Sequence, residues 1–523
     1  MKYLLLFLSL LGVNTVFAND KWPQAAGPDA NWKIDGEAPT KWSAFRNENV
    51  LWRTPMPEAG QSSVTVWQDK AFVTTHTPIK TLEEKEGVKD VIGFCLDAHT
   101  GKILWQVTLP GSAFISLAGG FTDGTVFAPI CDGKNVWFFN RCGSMGCYDM
   151  EGNKVWLREF TPRFKHNNRQ FEPVIVNNAI LYVEVHDKAN GGLMKKWDAP
   201  GKKSKNGTNI PQGVNPKDVW TYVHGIDKMT GKVLWREDTG TSVHATPMIA
   251  KMADGNYGIV HARGGGHGPI EKPYGLSLSS LKPGEEGKNI WSKEFKGFSP
   301  SFNSHWNEKY VYALSGGKHY LLDSTSGNIL KEASVEQGDV CRFDPQKNEW
   351  IKESNVKIKN KRTNTNHANI VSGKYHYFLA HDVHYCGRVN TETGKVEFLE
   401  LPAQLMPGKE SSSQDKLLWK NPNKGNTPLN ANGFAVGNKG HNGSGWGHIS
   451  AASPTIVGKH LIWPVVTGTV YVLDISKENW DQNAIVAVND LGEGGKTWSL
   501  SSVSFAHGRL YMHTMTEIIC IGK

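Results

Sequence analysis

The chain has 523 residues, a formal net charge of +8 and a mean hydropathy of −0.42. Charged residues make up 21% and no Lys/Arg block stands out, so composition gives no nucleic-acid footprint. Gly is high at 55 and Trp at 19, which suits many tight turns between aromatic-rich strands.

Taken in order, the chain opens on a secretory leader. Lys2 is its charged end, Tyr3–Val13 its short apolar core, and Val16-Phe17-Ala18 its cleavage site. Residues 1–18 are therefore read as a signal peptide, and the mature chain as exported, periplasmic or extracellular. No Cys follows the cleavage site and no later run is apolar enough to span a bilayer, so no lipid or transmembrane anchor is expected. Residues 19–48 read as an irregular lead-in rich in Pro, Gly and Trp. Asn49–Met56, NVLWRTPM, then reads as a lone strand with no unit of its own.

A repeated stretch follows. LDAHTGKILW (Leu96–Trp105) returns as IDKMTGKVLW (Ile226–Trp235), identical at six of ten positions. Weaker copies are YDMEGNKVW (Tyr148–Trp156), LDSTSGNILK (Leu322–Lys331) and VNTETGKVEF (Val389–Phe398). Each reads as strand, tight turn, strand. The Asp or Asn can bond backbone amides two residues on, and the Gly can take positive φ. Asp97, Gly101, Trp105, Trp156, Asp227, Gly231 and Trp235 are the expected structural docking set, with Trp105 and Trp235 buried between units.

Such recurrence signals an array of one supersecondary unit. Full units run from Ser62 to Val107, Val126 to Glu159, Glu172 to Glu237, Thr246 to Phe295, Pro300 to Ala333, His367 to Leu399 and Ser453 to Asp490. An eighth, Thr497–Lys523, has only three predicted strands. It would leave an open sheet edge, which folded proteins avoid. The lone strand Asn49–Met56 supplies the missing partner. The predicted fold is all-β: an eight-bladed β-propeller of four-stranded blades over residues 49–523, closed by the N-terminal strand. Insertions near 187–221, 338–366 and 402–449 break the rhythm and are placed in loops.

The run A-x-D-x-x-T-G-x-x-x-W resembles the tryptophan-docking repeat of quinoprotein-like propellers. Cys95 and Gly225 stand where that repeat has Ala. The opening WPQAAGP, the run WSAFRNENVLWRTPMPEAGQSS and SPTIVGKHLIWPVVTGTVYVLD (Ser453–Asp474) are similar to secreted PQQ-like repeat proteins, a group that includes the outer-membrane assembly factor type. The resemblance covers nearly the whole mature chain and implies the propeller fold. Quinone dehydrogenases of this group hold pyrroloquinoline quinone over a Trp, under a disulfide of adjacent Cys, with Ca²⁺ on Glu, Asn and Asp. This chain has seven Cys and no adjacent pair, and no such acidic set is matched, so PQQ is not an expected cofactor.

In a propeller, the ends of the second strands and the starts of the first strands share one face. Thirteen of the nineteen His map on or near it: His76, His166, His186, His244, His261, His267, His319, His367, His381, His384, His441, His448 and His513. Asp123, Arg141, Arg169, Glu172, Arg263 and Asp382 join them. His76, His381, His384 and His513 are the expected cooperating group, because blades 1, 6 and 8 lie within one arc. Imidazoles converging there would hold a divalent metal. The leading functional expectation is a non-catalytic scaffold or binding module for a protein or polysaccharide on this funnel face. The alternatives are a metal-assisted polysaccharide-degrading enzyme and a PQQ-dependent dehydrogenase.

Overall fold

The computed structural model describes residues 19–523 apart from 82–83, 85–87, 113–124, 126, 161–171, 186–220, 242–245, 264–274, 296–302, 359–367, 381–383, 411–413, 421–428 and 435–451. The leader falls outside the described residues. Eight sheets, antiparallel within each blade, form an eight-bladed propeller. Blade 1 has strands Thr65–Trp67, Lys70–His76, Val91–Asp97 and Ile103–Leu109, numbered outward from the axis. Blade 8 has Ser504–Ala506, Arg509–His513 and Glu517–Ile521, and its outermost strand is Val50–Pro55. Val50 pairs with Ile521 and Pro55 with Glu517, so the N-terminal strand covers the last edge. The edge argument applied to the sequence thus found the closure.

One contact recurs from blade to blade. The Trp52 indole donates to the Ala98 carbonyl, 3.2 Å, Trp105 to Met150, 3.1 Å, Trp156 to Lys228, 3.0 Å, and Trp291 to Ser324, 2.8 Å. Each acceptor is the residue just after the turn Asp of the next blade. That Asp folds the turn: Asp97 Oδ1 accepts from the His99 and Thr100 amides at 3.0 and 2.7 Å, and Asp227 Oδ1 from Met229 and Thr230 at 2.9 and 2.7 Å. The turn Gly must lie under the indole. Gly101 has φ +73°, and a Cβ there would stand 2.7 Å from Trp52 Cδ2, closer than any side chain tolerates. Gly152 and Gly231 lie in the same way under Trp105 and Trp156.

Trp52 and Trp291 are buried, whereas Trp105, Trp156 and Trp235 are half-buried, less enclosed than the sequence suggests. Trp235 also differs in partner. The next turn, 281–288, lacks Asp and Thr-Gly, and Trp235 lies against Gly225 of its own blade.

The lead-in is ordered. Lys21–Trp22 adds to the first strand of blade 1, and Lys33–Ile34 pairs in parallel with Ile456–Val457 of blade 7. Between these strands the chain follows the ring. Backbone oxygens of Asn19, Asp20 and Pro23 accept from His507 of blade 8, Gln68 of blade 1 and Cys131 of blade 2, at 2.7, 2.8 and 2.8 Å. Gln24 Oε1 accepts from the Ile175 amide of blade 3 at 2.9 Å, and Trp32 O from Ile456 of blade 7 at 2.8 Å. All these partners sit at or beside the turns joining first to second strands. Trp22 and Trp32 are buried there, so the lead-in covers that end of the ring.

The second insertion also contains a hairpin, Gln337–Asp344 with Glu349–Lys357. It joins the outer strand of blade 6 in parallel and widens that sheet to six strands. The third insertion includes a short hairpin, Gln404–Met406 with Lys416–Leu418. In blade 5, three strands are described; the predicted first strand 300–303 lies largely outside the described residues, and one bridge, Trp306 with Val311, marks its position. No helix among the described residues is long and apolar enough to cross a membrane.

Candidate functional site

The second strands of blades 1 and 8 end at His76 and His513, as the strand pattern requires. Both flank the segment that links the closing strand to blade 1. The His76 amide donates to Ala59 O at 3.0 Å, and His513 Nδ1 lies 2.7 Å from Ser62 O. The His513 carbonyl accepts from the Ser499 and Ser501 hydroxyls at 2.9 and 2.8 Å. Gly60 packs against the Thr74 carbonyl and the His513 ring, since a Cβ would stand 2.6 Å from His513 Cε1. The two imidazoles are buried within this seam.

His384 stands just before the third strand of blade 6, Tyr385–Asn390. It is buried, has φ 58°, and its carbonyl accepts from the Leu401 amide at 2.8 Å. His381 lies outside the described residues, as do His166, His186, His244, His267, His367, His441, His448, Asp123, Arg169 and Asp382. Among the described residues, no group of three His, Cys, Asp or Glu side chains is arranged to hold a metal ion.

Sequence reasoning placed no weight on Glu58, which organises the same end. It is buried and its carboxylate accepts from the Ala59 and Ile79 amides, both at 2.9 Å, and from Asn430 Nδ2 at 2.6 Å. Asn432 Nδ2 donates to Ile79 O at 2.7 Å. Residues of the third insertion, which leaves blade 6, thus bond to blade 1 and the linker before it. No local signal marks Glu58, because its partners are 21 and 372 positions away.

Between blades 3 and 4, Glu237 and His261 are fully buried, with His261 Nε2 3.7 Å from Glu237 Oε2. Burial raises the Glu237 carboxyl to about 7 despite bonds from Thr239, and lowers His261 to about 3. Glu172, beside the start of blade 2, is raised to about 8 by burial and accepts from the Ala128 amide at 3.0 Å. A third group joins blades 5 and 6: His305, His319 and His376. The rings of His319 and His376 are 5.2 Å apart, and those of His305 and His376 6.5 Å. His376 Nε2 lies 2.9 Å from Asn369 Oδ1. Burial lowers His305 to about 3 and His319 to about 4, and it holds His376 well below the usual value. These imidazoles are neutral across physiological pH. Neutral acids and bases held in a dry interior brace the blades and carry little charge toward a ligand. All seven cysteines are buried and free.

No family model matches the chain, and no curated protein sequence matches it. Solved structures do. A europium-containing methanol dehydrogenase is similar at 10% identity, over 94% of this chain and 89% of that one, with a TM-score of 0.48. The quinohemoprotein alcohol dehydrogenase of Comamonas testosteroni is similar at 11% identity, over 96% and 80%, with a TM-score of 0.46. BamB of Moraxella catarrhalis is similar at 11% identity, over 92% and 99%, with a TM-score of 0.36.

Proposed function

We propose that this chain is exported and acts as a non-catalytic scaffold that holds a protein or polysaccharide on the face formed by its second-strand ends. The observation that supports this reading is the one-sidedness of the ring. The lead-in covers the opposite end, while the strap around Asn430 bonds to Glu58 and Ile79 at the funnel face. The polar groups nearest that face are spent on the fold: Glu58 on Ile79 and Asn430, and His513 on Ser62. Long loops on a rigid ring serve recognition.

Photo-crosslinking tests it. A photoreactive residue replacing exposed Lys80, on the funnel side of blade 1, should capture a protein or polysaccharide in the exported compartment. The same residue replacing Asn178, at a first turn of blade 3, should capture none. Equal capture at both sites, or capture at Asn178 alone, defeats the reading.

A second reading keeps a divalent metal at the funnel, with polysaccharide as substrate. It is favoured by one observation, the shared seam of His76 and His513. Metal analysis of protein purified without a His tag tests it: about one equivalent, lost in the His76→Ala, His513→Ala double variant, would support it.

A further inference from the structure

The covered end of the ring holds a cavity of about 450 Å³, lined by the lead-in and by blades 3 to 6. This lies within the range of small-molecule sites, roughly 300–1,000 Å³. We propose that it binds a small organic monocarboxylate, with Lys33 as the counter-ion. This inference stands apart from the funnel-face reading, because it concerns the opposite end of the molecule.

Three observations carry it. First, most of the wall is self-satisfied. Gln24 donates to Gly27 O and accepts from Ile175, and the Trp306 indole donates to Met248 O at 2.7 Å. Two lysines line the cavity: Lys251 is exposed, with Nζ 5.9 Å from the Tyr257 ring, and Lys33 is the more enclosed. The Lys33 side chain is half-buried and its ammonium donates to the Val371 carbonyl at 3.2 Å. Among the described residues no carboxylate forms an ion pair with it, which leaves two donors and a full charge at the cavity wall. Burial draws its pKa down and Asp29 draws it back.

Second, the roof is strained. Ala30 and Trp32, on either side of Asn31, take φ 53° and 58°. Neither residue favours that region, and such strain persists where surroundings enforce it, often at ligand clamps. Here the enforcement is visible: Trp32 is buried and its carbonyl is bonded to blade 7.

Third, the donor set selects the anion. No arginine lines the cavity, so nothing offers the bidentate fork that suits phosphate. Lys33, Lys251 and Asp29 line the cavity, two cations and one carboxylate, and that single net positive charge matches a monoanion better than a dianion. Tyr257, Trp306 and Tyr312 supply aromatic surface for the body of the ligand.

The test titrates the chain from residue 19 onward with acetate, lactate and D-glucuronate, and with glucose and inorganic phosphate as comparators. At least one carboxylate should bind with a stoichiometry near one, and Lys33→Met should weaken it at least tenfold. A second measurement needs no loss-of-charge variant. After reductive ¹³C-methylation, the Lys33 resonance, identified by its absence in Lys33→Arg, should shift on adding that carboxylate and stay unmoved by glucose. No carboxylate binding at millimolar concentration, tighter binding of phosphate, or binding indifferent to Lys33→Met with a static Lys33 resonance would each overturn the proposal.

Discussion

Trp52→Ala tests how the ring is closed. Trp52 is 8% exposed, and it joins the last blade to the first. Its indole meets Gly101, and its ring centroid lies 6.0 Å from that of Tyr511. Removing a buried aromatic side chain costs about 3–5 kcal/mol. The lost hydrogen bond adds little, because the Ala98 carbonyl keeps a second donor, the Tyr511 hydroxyl at 3.1 Å. The expected loss is therefore about 3–5 kcal/mol, with no penalty for an orphaned acceptor. Trp105→Ala removes the same contact between blades 1 and 2, but from a half-buried indole. By area it should cost about half as much, roughly 2 kcal/mol. Urea unfolding of both variants gives the comparison. Limited proteolysis adds a positional readout, since a loosened closure should expose the segment around Glu58 in Trp52→Ala and leave it protected in Trp105→Ala. A loss below about 1 kcal/mol for Trp52→Ala, the level of surface changes, would refute the closure argument. So would a larger loss for Trp105→Ala.

Stability should also depend on pH in two opposed ways. His261, His305, His319 and His376 are held neutral by burial, so their contribution is present above an unfolded pKa of about 6.5 and is lost as pH falls toward their folded values. Glu172 and Glu237, raised to about 8 and about 7, contribute below an unfolded pKa of about 4.3 and lose that contribution as pH rises through their folded values. Their balance puts maximal stability at about pH 6–7, with slopes up to about 1.4 kcal/mol per pH unit per group. Glu172→Gln with Glu237→Gln should flatten the alkaline limb and steepen the acid limb between about pH 4.3 and 6.5; a melting temperature constant from about pH 5 to 8 contradicts the assignment. Deleting residues 19–36 should uncover the first-strand edges of blades 1 and 7 and promote aggregation, and a monomer with an unchanged melting temperature would show that the lead-in does not matter to the ring. Arg388 is fully buried, pairs with Glu397 at 2.7 Å and stacks on Tyr375 and Trp480, so Arg388→Ala should cost about 3–5 kcal/mol in chemical denaturation, and a cost under about 1 kcal/mol would contradict that.

The repeat made most of the fold readable from sequence. Asp97 and Gly101 act within a few residues, so their signature is local and survives in the text of the chain. The three-stranded ending at Thr497–Lys523 and the unmatched strand at Asn49–Met56 were equally legible, because an open edge is a count of strands and needs no coordinates. The hairpin at 337–357 escaped detection because its strands carry mostly polar side chains, largely half-buried or exposed, and so lack a clean apolar alternation.

The candidate sites were legible only in part. Sequence placed His76 and His513 at strand ends, but not that both brace the segment 59–62. Nothing near Glu237 announces His261, and His305, His319 and His376 come from two blades. The lead-in reads as irregular because its partners are single atoms spread around the ring, from Asn19 at blade 8 to Lys33 at blade 6. Strand periodicity depends on neighbours two residues away, and sequence determined that much. Which side chains meet depends on the closed ring, whose contacts join residues hundreds of positions apart, and only the tertiary structure decided it.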